Sequence, residues 1–397
     1  MRLHTTIIAA LLCVTNLLAT QPERRLFDFE RREGDPRPKL TPPSPSPRGE
    51  GKGEGAVTPS PAGKGPGVRS VHPSPSIPLR SGEGRVRSKA PGWQPNGIIV
   101  CDTANCSLPK IVPDGNSGAI VCWTENHRGA DSVNRYSDDI YAQRVDSGGN
   151  FVWASQGVPV CSLSGSWSNY PAMISDGRGG AIIAWEDNRG GLGYTRVFAQ
   201  RLDSLGNRLW TENGVLVCNQ MSGYVDLCTD GQGGAIIAYV DGRDQANTSD
   251  NIYAQRIDSA GNPVWAIDGV PVCTADSIQF WPFISSNRNG GAIITWWDDY
   301  RNGGTNMDAC GQMLNSLGNI KWTINGETFS TKPGNQKSFK SISDNNGDAL
   351  IGWYDYSVLN SYMQCIDSND IKQWGDTGVV IGNYSKINTD MMGGYCK

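Results

Sequence analysis

The chain has 397 residues, with 49 glycines, 13 tryptophans, 11 cysteines and only 3 histidines, and its formal net charge is −4. Residues 21–92 contain 14 Lys/Arg against 8 Asp/Glu, whereas residues 93–397 contain 20 against 31. The longer part is therefore acidic, which excludes a field that attracts nucleic-acid backbone. Because His4 and His72 precede this part, catalysis or metal binding by several histidines is disfavoured.

The first twenty residues predict a secretory signal peptide. An uncharged apolar run over residues 5–19 follows Arg2, and it is shorter than a membrane-spanning helix. Leucines precede Cys13, where a lipoprotein signal has a small residue, so lipid attachment is disfavoured. We expect a secreted or cell-surface bacterial protein with no stable membrane span in the mature chain; a short uncleaved anchor is the alternative.

Residues 21–92 predict a disordered basic linker. Thirteen of the 23 prolines lie between Pro36 and Pro91, among repeated Ser, Gly, Lys and Arg. This composition buries too little apolar surface to offset the entropy of folding. The folded part is therefore expected to be residues 93–397.

This part of the chain is an array of repeats of about 55 residues. One landmark is a tryptophan, at Trp93, Trp153, Trp210, Trp265, Trp322 and Trp374. A second is an alanine that directly follows the last residue of a turn, which is glycine in four units and aspartate in the fifth. These alanines are Ala119, Ala181, Ala235, Ala292 and Ala349. Both landmarks have the same period, so the array contains five full units.

Each unit predicts a four-stranded antiparallel meander. Four apolar runs of strand length are separated by turns such as DGRGG and DSLGN, whose Gly and Asn accept positive φ. Central runs such as AIIAW are apolar throughout, which is typical of sheets covered on both faces. We therefore predict an all-β fold, a β-propeller-like array; an open β-repeat solenoid is the alternative.

Partial units flank the five full ones. Residues 93–101 resemble the last strand of a unit, and residues 387–395 resemble the opening of another. The array is thus expected to be truncated at its C-terminal end.

The units resemble the propeller-like repeat regions of large secreted bacterial surface proteins, through the segments GGAIIAW, DNIYAQRID, DSAGNPVW and DGVPVC. This resemblance implies export and a repeat fold, but no established activity. The DxxGNxxW turns also bear a weak likeness to the Asp-box of sialidase-type propellers.

Two charged motifs recur once per unit and therefore predict structural pairing of carboxylates with guanidinium groups between neighbouring strands. One is an acid followed by arginine after the second run, at Glu125/Arg128, Asp187/Arg189, Asp241/Arg243 and Asp298/Arg301. The other is Gln-Arg in the third run, at Gln143-Arg144, Gln200-Arg201 and Gln255-Arg256. Catalytic groups, in contrast, occur once per molecule.

Function is predicted from the first strands, which line the channel of a propeller. Apart from turn acids, Asp226 is their only carboxylate, and glycosidases require two. We therefore predict a non-enzymatic scaffold or binding module with no catalytic residues; a propeller-type glycoside hydrolase or sialidase-like enzyme is the alternative.

Two groups of residues are candidates for binding a glycan or protein ligand. Aromatic side chains in the first strands would form a collar at the channel mouth: Tyr170, Tyr224, Trp281 and Phe339. The long loop between the second and third strands of the first unit contributes His127, Arg128, Arg135 and Tyr136. Packing between units is an alternative explanation for the aromatic residues. For the loop residues, the alternative is that a surface loop varies because nothing constrains it.

The cysteines predict neither a metal site nor a cofactor, because no CxxC or His-containing ligand spacing occurs. Four of them share one position at the ends of units, at Cys101, Cys161, Cys218 and Cys273, and are expected to be small buried residues. A local disulfide between Cys101 and Cys106 remains open. The Asp344–Asp348 run has oxygen ligands like a Ca²⁺ loop, but its alignment with SDGRGG favours a hairpin turn.

Overall fold

The computed structural model describes residues 96–102, 106–126, 138–189, 193–244, 249–299, 301, 306–330, 332–344 and 347–383. Within these ranges, twenty strands form five four-stranded antiparallel sheets. No helix among them is long and apolar enough to cross a membrane. The predicted all-β fold, with one meander per full repeat, is confirmed.

Each sheet uses four consecutive strands in chain order. The first sheet contains β1 (Cys106–Pro113), β2 (Ala119–Asn126), β3 (Asp138–Val145) and β4 (Val158–Cys161). The second contains β5 (Ser168–Ser175), β6 (Ala181–Asp187), β7 (Arg196–Leu202) and β8 (Val215–Cys218). The third contains β9 (Ser222–Thr229), β10 (Ala235–Asp241), β11 (Asn251–Ile257) and β12 (Val270–Cys273). The fourth contains β13 (Ile278–Ser286), β14 (Ala292–Asp299), β15 (Met307–Leu314) and β16 (Glu327–Thr328). The fifth contains β17 (Gln336–Ser343), β18 (Ala349–Asp355), β19 (Asn360–Ile366) and β20 (Val379–Asn383).

The second strand of each sheet forms the centre of the hydrophobic core. Every residue of β6, β10 and β18 is buried. Neighbouring sheets cover both faces of β6 and β10, which explains their continuous apolar runs. The preceding turn is closed by an aspartate: Asp176 Oδ1 accepts the backbone N–H groups of Arg178 and Gly180, each at 2.8 Å.

The sheets surround a common axis, as in a β-propeller. The first strands of consecutive sheets lie next to one another, and we call β1, β5, β9, β13 and β17 the inner strands. The charges of Lys110 in β1 and Lys340 in β17 both act on the carboxyl group of Asp226 in β9. In a linear stack, both lysines would lie about 20 Å from the third sheet, at ~10 Å per sheet. Their common influence on Asp226 therefore supports the propeller over the open solenoid.

The repeated tryptophans join each sheet to the next. The indole N–H of Trp210 donates to the carbonyl of Ser259, in the turn between the third and fourth strands of the following sheet, at 3.1 Å. Equivalent bonds run from Trp153 to Ser204, from Trp265 to Ser316 and from Trp322 to Asp367. Gly261 in the same turn has φ +92°, and an added Cβ would lie 2.8 Å from the Trp210 ring. Only glycine therefore fits beneath this indole.

A buried glutamine in the third strand orients each tryptophan. Gln200 Nε2 donates to the carbonyl of Thr211 at 2.8 Å, and its Oε1 accepts the backbone N–H of Trp210 at 3.0 Å. The equivalent glutamines make the same pair of bonds, at Gln143, Gln255, Gln312 and Gln364. The glutamine of the Gln-Arg motif thus fixes the loop that carries the inter-sheet tryptophan.

The arginine of the Gln-Arg motif makes a buried ion pair. Arg256 donates through Nε and Nη2 to Asp230 Oδ2, at 3.1 and 3.0 Å, and through Nη1 to the carbonyl of Ser316 in the next sheet. Arg201 with Asp176 and Arg144 with Asp114 repeat the pair. The fourth sheet has Met313 and Asn287 at these two positions, and Asn287 Nδ2 donates to the carbonyl of Leu314. The predicted structural role of this motif is confirmed.

The acid after the second strand pairs differently from our prediction. Asp187 binds Arg189, Asp241 binds Arg243 and Asp298 binds Arg301. Each pair lies within one strand end and its loop, whereas we expected pairing between neighbouring strands. The short sequence separation accounts for this, because the loop turns back over the carboxylate: the Arg189 backbone N–H also donates to Asp187 Oδ1 at 2.7 Å.

The cysteines at the ends of the units are buried beside these ion pairs. Cys161, Cys218 and Cys273 carry free thiols, and Cys161 Sγ lies 3.8 Å from Asp187 Oδ2. Burial raises the pKa of the Cys161 thiol to about 12 and those of Cys218 and Cys273 to about 11. Their predicted role as buried residues is confirmed, whereas Cys101 forms a disulfide with Cys106.

The N-terminal partial unit does not form the strand that we predicted. Residues 96–101, the described part of this segment, are irregular. The fourth strand of each sheet forms hydrogen bonds with the third strand. In the first sheet, β4 already pairs with β3, so residues 96–101 have no free strand edge there. The C-terminal partial unit, residues 387–395, lies outside the described residues, as do the signal segment and the linker.

Candidate functional site

A bulge interrupts the inner strands at one end of the propeller. In β5 the pairing with β6 shifts between Asn169 and Ala172, and β9 and β13 have equivalent shifts. The first residue of each bulge has positive φ, at 51° for Tyr170, 52° for Tyr224 and 44° for Trp281. This conformation is strained for bulky side chains and is found preferentially at functional sites.

Three of the predicted collar residues lie on these bulges. Tyr170 and Tyr224 are 43% and 42% exposed, which is high for tyrosines at the end of a core strand. Trp281 is half-buried. The side chain of Phe339 lies outside the described residues, and so do His127, Arg128, Arg135 and Tyr136 of the first loop.

Aromatic side chains continue around the mouth from the third sheet to the fifth. The rings of Tyr224 and Trp281 lie edge to face at 6.1 Å, and Trp281 meets Trp297 of β14 at 4.3 Å. Tyr354 and Tyr356 contact each other at 4.6 Å in the fifth sheet. We call these five residues the aromatic arc. Such rings offer flat apolar faces of the kind that bind sugar rings.

A lysine lies between the two halves of the aromatic arc. Lys337, in β17, is 6% exposed, and its ammonium lies 4.2 Å from the ring centre of Trp297 and 5.1 Å from that of Tyr356. Burial lowers the pKa of Lys337, and the charge of Asp299 opposes this effect. The aromatic faces stabilise the buried ammonium through cation–π attraction.

The part of the mouth formed by the first and second sheets also carries polar groups. Thr124 Oγ1 donates to Asn169 Oδ1, and Asn169 Nδ2 donates to Asp138 Oδ2, both at 3.2 Å. Glu186, at the end of β6, accepts the backbone N–H of Tyr224 at 2.7 Å through Oε1. An added Cβ at Gly223 would lie 3.0 Å from the Glu186 carboxyl carbon, so this glycine leaves room for the acid.

Asp226 lies in β9, two residues beyond the exposed ring of Tyr224. Its Oδ2 accepts the backbone N–H of Ile284 in β13 at 3.2 Å. Burial raises the pKa of the Asp226 carboxyl group, although Lys340, the Ile284 N–H and Lys110 each act to lower it. Its pKa therefore remains above its ordinary value beside two positive charges, as required of a carboxylic acid that donates a proton.

A second acid with a raised pKa lies outside the inner strands. Asp308 in β15 pairs across the sheet with Asp298 in β14. Burial, followed by the charge of Asp298, raises the pKa of Asp308 to about 6, although Arg301 opposes the shift. The folded protein thus holds this proton more tightly than the unfolded chain does.

We expect Asp308→Asn to stabilise the protein at alkaline pH. The contribution of Asp308 favours folding at acid pH and is lost as the pH rises to about 6, so ionised Asp308 destabilises the fold above that pH. The variant should gain about 1–2 kcal/mol in free energy of unfolding at pH 8 and almost nothing at pH 4. Urea denaturation at both pH values measures this, with exposed Glu212→Gln as control. Equal gains at both pH values would contradict the assignment.

Two candidate metal sites carry no support. Cys101, Cys106 and Glu125 bring potential ligand atoms together, but the two sulfurs are joined in a disulfide. Asp344 and Asp348 close a hairpin turn, in which Asp348 N–H donates to Asp344 Oδ1 at 3.0 Å and Asp344 N–H donates to the Asp348 carbonyl. These hydrogen bonds agree with the hairpin turn that we predicted at Asp344–Asp348.

The opposite end of the propeller carries a polar depression of about 260 Å³. The first turns of the second and third sheets line it, including Asp176, Arg178 and Gln232. Asp176 already binds Arg201 and its own turn. Since these groups serve the turns, the aromatic end is the better candidate site.

No protein-family model matches this chain, and no curated protein matches it significantly. Among solved structures, an α-L-arabinanase of Penicillium chrysogenum complexed with arabinobiose is 13% identical, with a TM-score of 0.43 over 65% of this chain and 77% of that chain. An endo-arabinase of Bacteroides thetaiotaomicron is 16% identical, with a TM-score of 0.33 over 69% and 94%. An α-L-arabinofuranosidase of Fusarium graminearum is 11% identical, with a TM-score of 0.38 over 66% and 77%. These are likenesses of fold alone.

The prediction of a non-enzymatic scaffold or binding module is wrong on this comparison. We argued from charged motifs that recur from unit to unit, but the similar solved structures are glycoside hydrolases. The argument from a single inner acid also fails, because Glu186 reaches the inner strand β9 from the neighbouring sheet.

Sequence reasoning missed Glu186, Trp297 and Lys337. A signal existed, because the residue before the recurring acid of the second strand differs in every unit. It is Thr124, Glu186, Val240, Trp297 and Tyr354 in the five sheets. Variation at one position of an otherwise regular repeat marks side chains that the common framework does not require.

Proposed function

We propose that this protein is a carbohydrate-active enzyme that cleaves glycosidic bonds at the aromatic end of the propeller. The observation that carries the proposal is Asp226, an inner-strand acid with a raised pKa, close in sequence to the exposed ring of Tyr224. The aromatic arc would bind sugar rings, and Asp226 would protonate the oxygen of the leaving group.

Hydrolysis of glycosides requires a second carboxylate. Glu186 is the candidate, because its carboxylate contacts the backbone of β9 at Tyr224, two residues before Asp226. Glu186 also holds the strained bulge in place. Its replacement is therefore expected to weaken both substrate positioning and catalysis.

We also propose that the protein acts outside the cell. Support comes from the uncharged apolar run over residues 5–19 and from the basic, proline-rich segment that separates it from the propeller. The likeness of the repeats to those of secreted surface proteins supports the same location. An extracellular glycan is the substrate that fits this place.

We expect the purified chain to release reducing sugar from a member of a polysaccharide panel. Asp226→Asn should lower kcat at least about 100-fold, because the amide cannot supply the proton. Folding should be retained, since the amide oxygen can still accept the Ile284 N–H. The measurement is reducing-end release, with circular dichroism to check the fold.

Glu212→Gln is the matched control, since Glu212 is exposed and, among the described residues, is bound only to Arg208. This variant should retain wild-type activity. An active wild-type chain whose kcat is unaffected by Asp226→Asn would remove Asp226 from the mechanism. Absence of hydrolysis across the panel would overturn the proposed function.

A further inference from the structure

The inner strands carry the opposite charge to the rest of the domain. Residues 93–397 contain 20 Lys/Arg against 31 Asp/Glu. The five inner strands contain three lysines and one acid: Lys110, Lys337, Lys340 and Asp226. An acidic domain thus presents positive groups on its inner strands, and a concentration of one sign of charge attracts ligands of the opposite sign.

Two of these lysines occupy the same register position as Asp226. Lys110 pairs with Cys122, Asp226 with Ala238, and Lys340 with Gly352, and each is the first paired residue after its bulge. The other two sheets have Ala172 and Phe283 at this position. Equivalent positions on inner strands face one axis, so the two ammonium groups and the carboxyl group belong to one ring of residues.

We propose that the substrate is an anionic glycan, a polysaccharide built from uronic acids, whose carboxylate binds Lys110 and Lys340 in the ring that contains Asp226. This inference rests on the proposed function and specifies its substrate class. The aromatic arc would bind the faces of the sugar rings, and the lysines would select the carboxylate. Lysine suits this purpose because its ammonium is a compact charge on a flexible stem.

A ligand that bears a carboxylate suits this ring better than a neutral one. Protonation of Asp226 for catalysis would leave the inner strands more positive still. A neutral sugar offers the two ammonium groups no opposite charge. A uronate carboxylate, in contrast, would form charge-assisted hydrogen bonds with the ammonium groups.

The test compares acidic polysaccharides with their own carboxyl-reduced derivatives. Polygalacturonate, alginate and hyaluronan, and the reduced form of each, would be tested for binding and for hydrolysis by the full chain. We expect at least one acidic polymer to bind at least about tenfold more tightly than its reduced form, with affinity that falls as salt rises.

Lys340→Met should weaken binding of that polymer at least about tenfold, while binding of the reduced form stays unchanged. Lys321→Met is the matched control, because Lys321 is exposed on the outer part of the fourth sheet. Asp226→Asn should abolish hydrolysis but retain binding of the acidic polymer.

Equal binding of acidic and reduced polymers, or unchanged affinity in Lys340→Met, would overturn the anionic substrate. If a neutral polymer is nevertheless cleaved in a manner that depends on Asp226, the proposed hydrolase function stands alone. If no polymer of either kind is bound or cleaved, both proposals fall.

Discussion

Replacing Trp210 by alanine is expected to lower the free energy of unfolding by about 3–5 kcal/mol. Trp210 is buried in the core between the second and third sheets. Its indole N–H also donates to the Ser259 carbonyl at 3.1 Å, and Gly261 lies beneath its ring. Truncation therefore opens a cavity between two sheets and removes the bond that joins them. Chemical denaturation followed by tryptophan fluorescence and circular dichroism measures the loss.

Trp374 provides the matched comparison. Its backbone N–H donates to Gln364 Oε1 at 3.0 Å, as Trp210 does to Gln200. It lies in the last described sheet, is half-buried, and its Nε1 has no acceptor among the described residues. Trp374→Ala should therefore cost less than half as much. Equal losses would show that the bond and packing to the following sheet contribute little.

Arg256→Met is expected to cost about 3–5 kcal/mol, because it leaves the carboxylate of Asp230 buried without its counter-ion. Asp230 is 1% exposed, and both of its bonds from Arg256 go to a single oxygen. Its other oxygen closes the turn by accepting the N–H groups of Gln232 and Gly234. Denaturation at neutral pH measures the change.

The fourth sheet contains the compensating change. Asn287 and Met313 occupy the positions of Asp230 and Arg256, and Asn287 Oδ1 still closes the turn through Asn289 and Gly291. The double variant Asp230→Asn/Arg256→Met should therefore recover most of the lost stability and remain within about 1–2 kcal/mol of the wild type. If the double variant is no more stable than Arg256→Met, an Asn/Met pair does not replace the Asp/Arg ion pair in the third sheet.

The strands and turns could be predicted from the sequence because local chemistry determines them. The DGRGG turn at Asp176 and the apolar run of β6 specify a hairpin within about a dozen residues, and five copies confirm the pattern. The predicted strand at residues 93–101 failed for the same reason. It was recognised by local likeness, whereas a strand exists only where a partner strand offers hydrogen bonds.

The candidate site was harder to predict because it is assembled between sheets. Tyr170, Tyr224 and Trp281 were identifiable, since they recur at one position of the repeat. Glu186 lies beside the recurring Asp187 and is not distinguished from it by any local pattern, although its carboxylate binds the backbone of the next sheet. Contacts of this kind depend on the radial arrangement, which is not encoded in any single repeat.

The direction of the tryptophan bonds bears on how such a protein evolves. The indoles of Trp153, Trp210, Trp265 and Trp322 all donate forward, from one sheet to the turn of the sheet that follows. An unequal crossover between two equivalent codons therefore adds or deletes a donor and an acceptor together. Gene copies that differ by a whole number of repeats therefore keep the tryptophan bonds between neighbouring sheets. The set of side chains at the mouth changes in the same event, because each sheet contributes a different one.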